Sequence, residues 1–181
     1  MEIPQLKYQP VYKDERGVFS PVSLININDL DLDKRWVQVN TSISEHKYTL
    51  RGMHYQIDPF KQCKYLTVIK GKVLDFVIQT NHLKSDFGKI YLFEVDENHA
   101  VVVPRGYAHG ILTLEPNTVV QYLVDNKYSP ENEFSVKWDT VPGLMEMFQN
   151  YIPDFNPKNI TISEKDRDGH SYQELEKEVV F

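Results

Sequence analysis

The chain has 181 residues, 41% of them hydrophobic and 25% charged, with a formal charge of −6 and a single cysteine. This is the make-up of one globular domain with a sizeable core, and the acidic balance argues against nucleic-acid binding, which needs clustered Lys and Arg. No apolar run reaches the ~18 residues that span a bilayer, the start Met1-Glu2-Ile3-Pro4-Gln5 lacks the basic and apolar parts of a secretory signal, and the lone Cys63 rules out an internal disulfide framework. A cytoplasmic protein that engages neither membrane nor nucleic acid is expected.

Strand signals dominate from the start. An N-terminal arm, about residues 1–23, carries Lys13-Asp14-Glu15-Arg16-Gly17-Val18-Phe19, which reads as a charged turn leading into a strand. Residues 64–79 (KYLTVIKGKVLDFVIQ) are rich in β-branched and aromatic side chains and are split by Lys70-Gly71-Lys72, which predicts a hairpin. Residues 89–95 and 100–103 flank a turn at Asp96-Glu97-Asn98-His99, and residues 111–114 and 118–124 flank another at Glu115-Pro116-Asn117. Short, evenly spaced strands with Gly, Pro, Asn and Asp between them predict an all-β sandwich or jelly roll. Helix is expected for a turn or two over residues 141–149, and again over residues 171–179 within a tail of about residues 167–181. No repeat, low-complexity tract or linker divides the sequence, so residues 1–181 are expected to form a single domain.

Two segments carry chemistry: Leu50-Arg51-Gly52-Met53-His54-Tyr55-Gln56 and Val103-Pro104-Arg105-Gly106-Tyr107-Ala108-His109-Gly110. Each sets one histidine beside glycine, arginine and an aromatic, a pattern that suits proton transfer better than metal binding. With these segments and six others in order, the chain resembles the dTDP-4-dehydrorhamnose 3,5-epimerase family of cupin-fold sugar-nucleotide epimerases. The likeness runs from about residue 12 to about residue 166. Asp14-Glu15-Arg16-Gly17-Val18-Phe19 is similar to the family's D-x-R-G-x-F, Gln38-Val39-Asn40-Thr41-Ser42 to Q-x-N-x-S, and Gln62-Cys63-Lys64 to Q-x-K. Phe87-Gly88 resembles the end of T-F-G, Tyr122 with Tyr128-Ser129-Pro130 resembles Y-x5-Y-[SN]-P, and Ser163-Glu164-Lys165-Asp166 resembles S-x-K-D.

The resemblance implies a cupin jelly roll (a double-stranded β-helix) with an N-terminal arm and short C-terminal helical segments. It also implies a homodimer in which the arms exchange, a nucleotide-sugar substrate, and neither metal nor organic cofactor. Val103-Pro104-Arg105-Gly106-Tyr107-Ala108-His109 does fit one half of the metal-binding cupin signature, but His54-Tyr55-Gln56 stands where the other half needs H-x-H. Two imidazoles without a third ligand rarely hold a transition metal.

The family reaction removes a proton from the carbon next to a C4 ketone. It needs a base on one face, a donor for the enolate oxygen and an acid on the other face. The resemblance makes His54 the base, since imidazole titrates near neutrality, and Asp166 the carboxylate that orients it, with Asp168 as a competitor. Lys64, which interrupts an apolar strand, is the enolate stabiliser, and Tyr122 is the acid, on the same strand face as Val120 and Val124. Arg16 and Arg51 are candidates for the diphosphate, Gln38 and Asn40 for hydroxyls or the base, and Tyr12 and Tyr128 for stacking on the nucleotide. His109 either contacts the enolate region or braces His54.

The sequence also departs from the family. Pro21 stands where a glutamate usually meets the nucleotide base, so the nucleotide is left open. Ile78-Gln79-Thr80-Asn81 loses both charges of V-D-x-R, although Asp75 upstream is kept. The W-P after Trp138-Asp139 is absent, and the stretch from Trp138 to Asp166 is longer than usual. Rivals that keep the fold are a C3-only or C5-only epimerase, a 3,4-ketoisomerase acting on another nucleotide sugar, and a non-catalytic sugar-nucleotide-binding cupin.

Overall fold

Alternation of apolar side chains every second residue sets the strands, and a computed structural model describes them over residues 3–15, 17–19, 36–81 and 83–177. In chain order they are β1 (Gln5–Tyr8), β2 (Tyr12–Asp14), β3 (Gly17–Phe19), β4 (Gln38–Ser44), β5 (Thr49–Gln56), β6 (Lys64–Lys70), β7 (Val73–Gln79), β8 (Ile90–Val95), β9 (His99–Val103), β10 (Tyr107–Thr113), β11 (Thr118–Val124), β12 (Glu133–Ser135) and β13 (Thr161–Ile162). Among the described residues three short α-helices follow β12: α1 (Leu144–Tyr151), α2 (Glu164–Arg167) and α3 (Tyr172–Lys177). Arg16 and Pro21, singled out in the sequence, lie outside the described residues.

The first sheet has the order β1-β9-β6-β11-β4 and the second β12-β5-β10-β7-β8, with β13 joining β5 and β2 pairing only with β3. The ladders that build the two sheets are antiparallel, and only the short β13 runs parallel to β5. Two such sheets face to face are the expected jelly roll of the cupin kind. Leu66, Val68, Val101, Val103 and Val120 of the first sheet meet Val73, Val77, Val95 and Ile111 of the second in one buried cluster.

The second sheet is covered on its other face as well. Leu50, Met53 and Tyr55 of β5, Leu74, Phe76 and Ile78 of β7, and Ala108 and Leu112 of β10 pack under Trp138, Leu144, Phe148, Phe155 and Leu175. All seven residues of β7 are therefore buried, and β7 reads as a nearly continuous apolar run because neither face sees water. Phe148 of α1 stacks on Trp138 and meets Phe76 edge-on. None of the helices among the described residues is long and apolar enough to cross a membrane.

The hairpin expected at Lys70-Gly71-Lys72 does not form. β6 lies in the first sheet and β7 in the second, so this turn carries the chain across the sandwich. The turns after β8 and β10 do the same. Crossing lets alternate residues of both flanking strands meet between the sheets, as Leu66 and Val68 do with Val73 and Val77, and a flat hairpin would leave those faces without a partner. The helix predicted over residues 141–149 is found slightly later, as α1, and α3 falls within the predicted residues 171–179, of which 178 and 179 lie outside the described residues.

Candidate active site

Both histidines lie inside strands, His54 in β5 and His109 in β10, with Pro104-Arg105-Gly106 forming the turn that enters β10. β5 and β10 are neighbours, with His54 opposite His109 and a register shift between His109 and Ile111. The glycines of the two motifs make this approach possible. Gly52 has φ +124°, and a Cβ on it would stand 2.5 Å from Gly110 Cα. A Cβ on Gly110 would stand 2.5 Å from the Phe76 ring. Alternation then sends Met53 and Tyr55 to the outer core and leaves His54 on the cavity side, where it lines a space of about 490 Å³ between the sheets.

Asp166 reaches this cavity from far along the chain. β13 pairs in parallel with β5, Thr161 beside Thr49 and Ile162 beside Leu50, which delivers α2 next to His54. The Ser163 hydroxyl caps α2 by accepting from the Asp166 amide. One Asp166 oxygen stands 2.6 Å from His54 Nε2, and the other accepts from the Gly52 amide at 3.1 Å. Burial pushes the Asp166 carboxyl up, but the His54 hydrogen bond and charge and the Gly52 amide outweigh it and hold it below the usual carboxylate range. Asp168, two residues on, is exposed at the end of α2.

The first sheet supplies the opposite wall. Lys64 of β6 and Tyr122 of β11 line the cavity with Arg51, His109 and Lys165. Lys64 Nζ donates to the His54 carbonyl at 3.4 Å. Burial lowers the Lys64 pKa to about 8, although the charges of Glu133 and Asp75 pull it back up. Burial, helped by Glu133 and opposed by Arg51, raises the Tyr122 phenol. Arg51 reaches across to β4, donating to Ser44 Oγ and to the Ile43 carbonyl, each at 3.1 Å.

His109 carries its own carboxylate, with Nε2 2.7 Å from Asp75. Asp75 is wholly buried. It is an acid in an apolar strand, the same signal that marks Lys64, and sequence reasoning gave it no role. Lys165 and Glu133 were missed too. Lys165 lines the cavity and ion-pairs with Glu133, which also accepts from Tyr128 Oη at 2.8 Å.

The remaining candidates sit elsewhere. Gln38 Nε2 donates to Asn40 Oδ1 at 2.6 Å on β4, beyond the cavity wall. Tyr12 is exposed and stacks on Phe19 across the β2–β3 pair. Tyr128 stands half exposed beside Glu133. Among the described residues no group of three or more His, Cys, Asp and Glu is placed to hold a metal ion.

Known proteins resemble this chain in sequence and in fold. The sequence model of the dTDP-4-dehydrorhamnose 3,5-epimerase family matches residues 5–174. The chain is 36% identical over 135 residues to the dTDP-4-dehydrorhamnose 3,5-epimerase of Sinorhizobium fredii, covering 71% of this chain and 67% of that protein. It is 32% identical over 166 residues to the enzyme of that name from Methanothermobacter thermautotrophicus, covering 87% and 83%. The crystal structure of the Sulfolobus tokodaii dTDP-4-dehydrorhamnose 3,5-epimerase superposes with a TM-score of 0.79 at 31% identity, covering 98% of this chain and 93% of that one. The Legionella pneumophila epimerase in complex with dTDP-4-keto-L-rhamnose superposes at 0.77 with 26% identity, covering 97% and 94%. With the family model matched over residues 5–174 and the fold shared, the chain belongs to the dTDP-4-dehydrorhamnose 3,5-epimerase family and is a sugar-nucleotide epimerase.

Proposed function

We propose that this enzyme epimerises a dTDP-4-keto-6-deoxyhexose at C3, C5 or both through an enolate, without metal or organic cofactor. The observation that carries the reading is the His54–Asp166 pair at 2.6 Å on one wall of a cavity whose other wall holds Lys64 and Tyr122. Asp166 engages Nε2, so Nδ1 takes the proton from the sugar carbon. The C–H electron pair moves into the C4 carbonyl, and the Lys64 ammonium hydrogen-bonds the resulting oxyanion. Tyr122 Oη then delivers a proton to the carbon from the opposite face. The tyrosinate regains a proton from solvent, and the imidazolium releases one. Arg51 and Arg16 meet the diphosphate, and Gln38, Asn40, Tyr12 and Tyr128 the nucleoside end.

The exposed outer face of the first sheet supports the homodimer. Val39 and Ile43 of β4 and Ile69 of β6 are 56%, 63% and 49% exposed, and β4 is the sheet's edge; a second copy that exchanges its arm covers such a face. A single cysteine, the buried Cys63, fits a cytoplasmic enzyme. A C3-only reaction is the second reading, because a Streptomyces dTDP-4-dehydro-6-deoxyglucose 3-epimerase is 34% identical over 101 residues.

The test is to incubate the protein with dTDP-4-keto-6-deoxyglucose in D2O and follow the C3 and C5 protons by NMR. Loss of both signals establishes the double epimerase, and loss of one names the carbon. No exchange with any 4-keto nucleotide sugar overturns the reading in favour of a binding protein. In the same assay Asp166→Asn is expected to slow exchange about a hundredfold or more, because an amide favours the wrong imidazole tautomer and does not stabilise the imidazolium. Turnover is expected to fall above pH about 8 as Lys64 loses its proton, while burial keeps the Tyr122 phenol protonated through that range; a pH profile of kcat reads this limb.

A further inference from the structure

Glu133 has no part in the proton transfers above, yet it stands among the groups that do. β12 pairs with β5, Glu133 opposite Gln56 and Ser135 opposite His54. Paired residues of neighbouring strands project to the same face, so Glu133 and Ser135 share His54's side of the sheet while Phe134 stacks on Tyr55 in the outer core. The Glu133 side chain is only 13% exposed. It is shared between the Lys165 ammonium and the Tyr128 hydroxyl, which arrive from α2 and from the loop after β11. Three segments thus meet on one carboxylate, and one of them, α2, lines the cavity through Lys165 and Asp166.

We propose that Glu133 is a positioning residue of this site: it ties Lys165 and Tyr128 together at the cavity rim and supplies the negative charge that keeps the enclosed Lys64 an ammonium ion. The charged and titratable groups around Lys64 are Arg51 and His54 on β5, Asp75 on β7, His109 on β10, Tyr122 on β11, Glu133 on β12, and Lys165 and Asp166 on α2. Asp75 and Asp166 are each engaged by a histidine, through His109 and His54. Burial works against the Lys64 charge, and Glu133 is the larger of the two carboxylate influences that restore it, ahead of Asp75. The same carboxylate favours the protonated form of Tyr122. One side chain therefore favours the charged form of Lys64 and the neutral form of Tyr122, in each case second to burial. The inference rests on the roles proposed above for Lys64 and Tyr122.

The test titrates Lys64 in the unliganded protein by its 15Nζ or 13Cε NMR shift, beside the pH profile of kcat for solvent exchange. In Glu133→Gln the Lys64 midpoint is expected to fall by ~0.7 pH unit. The basic limb of kcat moves with it, which removes about fourfold of the rate near pH 8.5 and almost none near pH 6.5. Glu133→Asp restores most of the shift. Lys165→Met, which deletes a positive charge and frees the carboxylate, moves the midpoint up. Shifts of opposite sign do not arise from a loosened fold, and if Glu133→Gln fails to fold, the Asp and Lys165→Met variants carry the test. An unmoved Lys64 midpoint in folded Glu133→Gln overturns the coupling whatever the activity. If the midpoint moves but the wild-type protein exchanges no sugar proton, the charge coupling stands and the enolate role falls.

Discussion

His54→Ala is expected to lower kcat for solvent exchange by ~10²–10⁴-fold, the usual worth of a positioned general base. C3 and C5 exchange fall together if one base serves both carbons, whereas loss at one carbon alone would assign a second base to the other. His109 is the alternative to watch, because it lines the same cavity with its own carboxylate, Asp75, at 2.7 Å. Binding of dTDP, measured by calorimetry, is expected to change little, since His54 acts at the sugar carbon and not at the nucleotide. A tenfold loss of dTDP affinity would show instead that the imidazole shapes the whole pocket. Asp166 keeps only the Gly52 amide and the helix start in this variant, so thermal unfolding should be run beside the kinetics.

Lys64→Met is expected to move activity and stability in opposite directions. Removing the donor to the developing oxyanion costs ~10²–10³-fold in kcat. The folded-state pKa of about 8 lies below the ordinary lysine value of 10.5. The unfolded chain therefore binds the proton more tightly, and the full penalty of burying the ammonium is present below pH about 8. That penalty is at most about 3 kcal/mol, less for the water that enters the cavity. Stability of the wild type rises between pH about 8 and 10.5 as the folded protein sheds the proton first. An apolar methionine escapes the penalty, so its midpoint in urea is expected to exceed the wild type's at pH 7 and to converge with it at high pH. A less stable Lys64→Met protein at pH 7 would mean that the ammonium is better solvated in the fold than its surroundings imply.

Much of this site was legible because its chemistry breaks a local pattern. Lys64 heads the apolar strand β6, ahead of Tyr65 and Leu66, and Tyr122 holds the inward phase of β11 beside Val120. The glycines flanking the histidines marked the two segments, but the close approach of Gly52 to Gly110 that requires them appears only once β5 lies beside β10. Asp75 broke its strand's pattern just as plainly and went unused, for want of a sequence neighbour to suggest a partner. Glu133 gave no signal at all: it sits in a polar stretch, Pro130-Glu131-Asn132-Glu133, and acquires its place only when β12 pairs with β5. The pairing of His54 with Asp166 rather than Asp168 is likewise set by the docking of β13 and the Ser163 cap. The hairpin expected at Lys70-Gly71-Lys72 failed for a related reason, because a strong turn fixes where a chain reverses and leaves open which sheet receives the returning strand.

That β13 and α2 must dock before the base is complete has a consequence for how the enzyme comes to life. His54 and Asp166 lie 112 residues apart in sequence, and it is the short β13–β5 ladder, formed from late in the chain, that brings them together. Long-range pairings of this kind close late, after the entropy of the intervening loop has been overcome. A nascent chain that has emerged as far as β11 already contains both histidine motifs, Lys64 and Tyr122, but not the carboxylate that sets the tautomer of His54. Turnover therefore becomes a clock for the final assembly step: during refolding, burial of Trp138 and gain of β-structure should precede the first epimerised sugar.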